Sequence, residues 1–145
     1  MFKHILLPTD GSEASQNAIR AGITFAKEAG ATVIGLYVIP EFHVLAYEAS
    51  MLVPTEEEFI KNEMTLAETY LAEIKRAAEN AAVKYETVYV TSDYPYEEII
   101  KVAENRRCDL IMMASHGRKG VKGFLIGSET QKVLTHSKIP VLVLR

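Results

Sequence analysis

With 145 residues, 48% of them apolar and 24% charged, the chain has the composition of a soluble globular protein and the length for one domain, 1–145, with a packed core. A net charge of −3 argues against a general nucleic-acid binder. The one cysteine, Cys108, cannot close an intramolecular disulfide, and the opening apolar run is too short for a signal peptide or a membrane span; a cytoplasmic protein with no nucleic-acid or membrane partner is expected.

From the start, Phe2 to Leu7 reads as a continuous apolar strand of the kind that is covered on both faces of a parallel sheet, and Pro8 ends it. Thr9 to Glu13 then turns into a helix, with Asp10 and Glu13 at capping-box spacing. That helix carries Ala14, Ala18, Ala21, Phe25 and Ala29 at helical spacing, a small-residue face suited to close packing on a sheet, and Gly30 stops it. Ala31 to Ile39 is a β-branched second strand closed by Pro40, which completes a βαβ unit.

Residues 42–55 are apolar without a clear period, which suits a loop laid on the domain's own surface or, less simply, a lid, a partner contact or a short helix. Glu56 to Val83 follows as a long helix with Ile60, Met64, Ala67, Leu71, Ile74 and Ala78 in one stripe; Glu56, Glu57 and Glu58 stand at its positive end. A third strand covers Tyr85 to Thr91, and Pro95 sits where the first turn of a helix tolerates it, so a helix over Tyr96 to Arg106 turns Ile99, Val102 and Ala103 inward. Cys108, just before the fourth strand at Leu110 to Ala114, reads as a buried, inert thiol. After a helix opening at Ser128, with Val133 and Leu134 inward, Pro140 to Leu144 makes the last strand.

The alternation specifies an α/β fold: an open, doubly wound sheet of five mostly parallel strands with helices on both faces. Ligands of such sheets bind beyond the carboxyl ends of the strands, where the winding reverses. The stretch from Ala114 to Ser128 lies at such an end. It holds four glycines, the cations Arg118, Lys119 and Lys122, and the start of a helix whose N–H groups and dipole favour an anion. This describes a phosphate cradle; a mobile glycine loop before a Ser128–Gln131 capping box is the plainer alternative. The P-loop and the G-x-G-x-x-G fingerprint are both absent.

The stretch resembles the nucleotide-binding motif of the universal stress protein family, G-x-x-G-x9-G-[ST]. Gly117, the nine residues Arg118 to Ile126, Gly127 and Ser128 fit it; the first glycine is replaced by Ala114. The resemblance extends to Ile5-Leu6-Leu7-Pro8-Thr9-Asp10-Gly11-Ser12, to Tyr37-Val38-Ile39-Pro40-Glu41 and to Ser137-Lys138-Ile139-Pro140-Val141-Leu142-Val143-Leu144, with no match over 42–55.

It implies strand order 3-2-1-4-5 and a site for ATP with Mg²⁺ or Mn²⁺. Val38 would meet the adenine through its backbone, and Pro8, Thr9 and Asp10 would line the base and ribose. Ala114, Ser115, His116, Gly117, Arg118, Lys119 and Gly120, with Gly127, Ser128, Glu129 and Thr130, would hold ribose and phosphates. Asp10 would also reach a divalent ion through the phosphates, unless it serves as a helix cap. No residue is assigned a catalytic role. If Ala114 needs a positive φ, its Cβ costs roughly 1–2 kcal/mol; if not, its methyl matters only where the ligand touches it.

The resemblance thus implies an ATP-binding stress-response switch, not a dedicated enzyme, with slow hydrolysis open. An interaction or chaperone-like protein without nucleotide is the alternative, with Ala114 as its main support. A nucleotidyl transferase or pyrophosphatase of related architecture is the less favoured third reading, since it would need acidic metal ligands clustered at strand ends, where Asp10 stands largely alone. The apolar last strand, Pro140 to Leu144, invites pairing if it lies at an edge, and the resemblance implies a homodimer there.

Overall fold

The computed structural model describes residues 1–44, 54–117 and 126–145. In chain order the elements are β1 (His4–Thr9), α1 (Glu13–Ala29), β2 (Thr32–Ile39), α2 (Glu56–Asn80), β3 (Tyr85–Thr91), α3 (Pro95–Asn105), β4 (Leu110–Ala114), α4 (Ser128–His136) and β5 (Val141–Leu144). The described strands form one five-stranded sheet in the order β3-β2-β1-β4-β5. Every pairing is parallel, so the sheet is fully parallel where the sequence pointed to a mostly parallel one.

The alternation of side chains along the strands sorts the core into two halves. Ile5 and Leu7 of β1, Val33 and Tyr37 of β2, and Leu110 and Met112 of β4 face α1 and α2, where Ile19, Ile23, Leu71 and Ile74 meet them. Leu6, Ile34, Leu36, Ile111 and Met113 face the other way, onto Ile99, Val102 and Ala103 of α3 and Val133 of α4. Burying one such Leu or Ile completely contributes about 1.5–3 kcal/mol. Strands covered on both faces explain why β1, β2 and β4 read as unbroken apolar runs.

The strand and helix ends depart modestly from expectation. Strand β1 starts at His4, and the backbone N–H groups of Lys3 and His4 both donate to the Asp109 carboxylate, which ties the entry of β1 to the residue before β4. Helix α1 is capped by Ser12, whose Oγ accepts from Ser15 N at 3.2 Å; the predicted Asp10–Glu13 capping box does not form. Its buried face runs through Ser15, Ala18, Ile19, Gly22, Ile23 and Ala26, so of the small-residue face predicted from Ala14, Ala18, Ala21, Phe25 and Ala29 only Ala18 is buried. The larger apolar residues Ile19 and Ile23 win the sheet-facing side, because they remove more surface from water.

Helix α2 ends at Asn80, short of Val83, and opens with a capping box between Thr55 and Glu58. Ala67, Leu71, Ile74 and Ala78 are buried as expected, whereas Ile60 is 52% exposed. Helix α4 likewise buries Val133 but leaves Leu134 42% exposed. Its cap is Gly127, with no side-chain bond, so the Ser128–Gln131 capping box is absent and Ser128 is the first helical residue. Among the predicted features, the apolar 42–55 segment falls mostly outside the described residues, which omit 45–53.

Candidate functional site

Strand order places the reversal of winding between β1 and β4, and the ends of these strands build a crevice. On the β1 side the chain turns sharply into α1. The Gly11 N–H donates to Thr9 Oγ1 at 3.1 Å and the Ser12 N–H donates to Asp10 Oδ1 at 2.9 Å, so the turn's own side chains satisfy its backbone. Thr9 Oγ1 also lies 3.2 Å from Ser15 Oγ, which donates to Ser12 O at 2.9 Å. These short polar contacts fix the Asp10 carboxylate in place at the mouth.

On the β4 side Ala114 is the last strand residue, opposite Leu144 of β5. The Ser115 N–H continues that ladder to Leu144 O at 2.7 Å. The Gly127 N–H then donates to Ser115 O at 2.6 Å, and Thr130 Oγ1 donates to Ala114 O at 2.8 Å. Two bonds therefore seat the start of α4 directly on the end of β4. The first-turn N–H groups of a helix have no carbonyl of their own helix to bond, and the helix dipole adds partial positive charge there.

Two glycines fit this closeness. A Cβ on Gly117 would collide with Asp10 Oδ2, and one on Gly127 would come within 3.1 Å of His116 Cα and 3.2 Å of Ser115 O. Ala114 differs. Among the described residues the non-glycine positions with positive φ are Ala82 and Arg107, so Ala114 carries no left-handed strain, and the residue takes part in the crevice lining.

The crevice encloses about 180 Å³. Nine of the sequence-predicted residues line it: Pro8, Thr9, Asp10, Val38, Ala114, His116, Gly117, Glu129 and Thr130. Ser115 is buried behind them, with Oγ 3.2 Å from His116 Nδ1, while Gly127 and Ser128 stand at the start of α4 outside the lining. Arg118, Lys119 and Gly120 lie outside the described residues.

Sequence reasoning missed Ser15, Leu36, Pro95, Ile99 and Met113, which complete the lining. Leu36 was within reach, since it shares a face with Val38 two residues on. Pro95 and Ile99 come from α3 and needed the fold. The result is a pocket with an apolar end, Leu36, Val38, Ile99 and Met113, and a polar end, Thr9, Asp10, His116 and Thr130.

Glu129 has a further task. Helix α3 lacks a side-chain cap of its own at Tyr94, and Glu129 Oε2 accepts the Tyr96 N–H at 2.9 Å across the crevice. The carboxylate of α4 thereby occupies the positive end of α3.

Fold and crevice together define an open, fully parallel α/β protein with a crevice at its switch point, apolar at one end and polar at the other. A model of the universal stress protein family matches residues 1–145, and the chain belongs to that family. Universal stress protein MJ0577 of Methanocaldococcus jannaschii is 35% identical, over 100% of this chain and 96% of that protein. The solved structure of MJ0577 superposes with a TM-score of 0.83, covering 99% of this chain and 96% of its own. Universal stress protein UspA from Lactobacillus plantarum is 25% identical with a TM-score of 0.82, covering 99% and 98%. A more distant universal stress protein, solved in complex with cAMP, shares the fold at 23% identity and a TM-score of 0.73, covering 99% and 97%.

Proposed function

We propose that this protein is a cytoplasmic, single-domain nucleotide-responsive switch of the stress response that binds ATP, with Mg²⁺ or Mn²⁺, in the β1/β4 crevice. The observation that carries the reading is one pocket joining an apolar slot to the Thr9–Asp10 turn and the start of α4. Its volume of about 180 Å³ lies below the roughly 300–1,000 Å³ of whole small-molecule sites. The slot therefore suits the base, and the phosphates run out toward Gly117 and the first turn of α4. Asp10, with Oδ1 held by the Ser12 N–H, would carry a divalent ion that rides on those phosphates.

A bound nucleotide would neutralise its charge on the helix N-terminus and on Arg118 and Lys119. Nothing in this reading supplies dedicated hydrolysis chemistry, and slow turnover at most is expected. The non-nucleotide alternative leaned on Ala114, and with no left-handed strain at that position its support reduces to a single methyl group. Strand β5 lies at the sheet edge with Leu142 39% exposed, which favours a homodimer through this strand.

Isothermal titration with ATP and Mg²⁺ tests the site. Micromolar binding is expected in the native protein and its loss in a Gly127→Val, Ser128→Ala variant, whose valine would press on Ser115 and His116. Absence of binding at millimolar ATP in the native protein refutes the proposal. Light scattering tests the dimer, and the mass of one chain at micromolar concentration refutes it.

A further inference from the structure

A second group of ligating side chains stands on the same edge of the sheet, beyond β2 and β3 and apart from the crevice lining. Glu41 and His43 follow β2, and Asp93 follows β3. Their ligand atoms all lie within 4.8 Å of one another. His43 Nε2 is 2.5 Å from Asp93 Oδ2, and the Glu41 N–H donates to Asp93 Oδ1 at 3.1 Å.

The backbone brings them together. The Ser92 N–H donates to Ile39 O at 2.8 Å, which carries the β2–β3 ladder past the strand ends. Asp93 follows that bond by one residue and Glu41 by two, so the two loops start from a fixed separation. With Oδ1 engaged by the Glu41 N–H, the Asp93 carboxylate turns Oδ2 to His43.

We propose that Glu41, His43 and Asp93 bind a divalent transition-metal ion of the zinc type. One imidazole nitrogen and two carboxylates supply three protein ligands and two negative charges. That leaves one position of a tetrahedral ion for water, and the imidazole favours zinc, nickel or copper over magnesium and calcium. With ligand bonds of about 2.0–2.2 Å, tetrahedral ligand atoms lie roughly 3.4 Å apart. From ligand atoms within 4.8 Å of one another, His43 and Asp93 must part by about an ångström while the exposed Glu41 side chain swings in. The ion takes the place of the proton shared between His43 and Asp93. The plainer alternative is a surface ion pair without affinity for metal.

The test is titration of the full-length, nucleotide-free protein with zinc chloride, followed by calorimetry, and with Co²⁺, followed by its visible absorption. One zinc per chain at micromolar affinity and a tetrahedral cobalt spectrum are expected. His43→Gln and Asp93→Asn should each weaken zinc by about tenfold or more, with unchanged far-UV circular dichroism because both side chains project from loops. His136→Gln, at an exposed histidine elsewhere, should leave it unchanged. No binding up to millimolar zinc, or binding of equal strength in His43→Gln, overturns the proposal. Because no nucleotide is present, either result is independent of the ATP reading.

Discussion

Replacing Gly11 by alanine tests how the crevice turn is built. Gly11 sits at φ 79° between β1 and α1, and a Cβ there would overlap the ring of Tyr70 from α2. That ring is packed 5.5 Å from Tyr37, whose hydroxyl donates to Glu63 Oε2 at 3.3 Å, so it yields only by breaking a contact between α2 and β2. Gly30 is the matched control: φ is 64°, and a Cβ would meet nothing within 4 Å. Gly30→Ala carries the left-handed strain alone, about 1–2 kcal/mol, reduced somewhat by the stiffer unfolded chain. Gly11→Ala carries the same strain plus overpacking of about 1–3 kcal/mol, for a total of about 2–5 kcal/mol. Urea unfolding followed by circular dichroism, at unchanged m value, measures both. In a Tyr70→Leu background the cost of Gly11→Ala should fall toward that of Gly30→Ala. Equal costs for Gly11→Ala and Gly30→Ala in the native background would refute the packing argument.

Thr130→Val removes the bond to Ala114 O and should cost about 1–2 kcal/mol in the same unfolding assay, while Thr130→Ser keeps it; equal stability of Val and Ser variants would count against that bond. Burial first, then the neighbouring Asp109, pushes the Cys108 thiol up to about 12, so a thiol reagent at neutral pH should leave the native protein unmodified and react fully once it unfolds. Rapid native-state labelling would contradict this. The Asp93 hydrogen bond raises His43 above its ordinary 6.5, and the same bond lowers Asp93 below its ordinary 3.8. The pair's contribution is lost as pH rises through the raised His43 value and as pH falls through the lowered Asp93 value, leaving its window between the two. NMR titration in metal-free buffer should place the imidazole midpoint above 6.5, and Asp93→Asn should bring it back.

The sheet was legible because its strands are buried on both faces. Apolar continuity without alternation in polarity, as in Ile5-Leu6-Leu7 and Leu110-Ile111-Met112-Met113, admits only a covered parallel sheet once helical stretches separate the runs. The face of α1 was less legible. Its alanines and its isoleucines both recur at helical spacing, and only packing against Leu7 and Met112 decides which stripe is buried. The cap of α1 was ambiguous for a local reason: Asp10 and Ser12 are both good caps, and Asp10 is drawn instead to the Ser12 N–H beside Gly117. The Glu129 bond to Tyr96 joins residues 33 positions apart and has no sequence signature at all.

Ala114 shows why a motif should be divided by what each position does. At Gly117 and Gly127 space is the constraint, since a Cβ would displace the Asp10 carboxylate or sit 3.1–3.2 Å from the His116 and Ser115 backbone. Those two positions are glycine in this chain. Residue 114 is different in kind: it closes a regular strand, pairs with Leu144, and passes its carbonyl to Thr130, all of which an alanine does without strain. The alanine therefore ends β4 and carries the bond to α4 without strain, which removes the backbone argument against a ligand at this crevice.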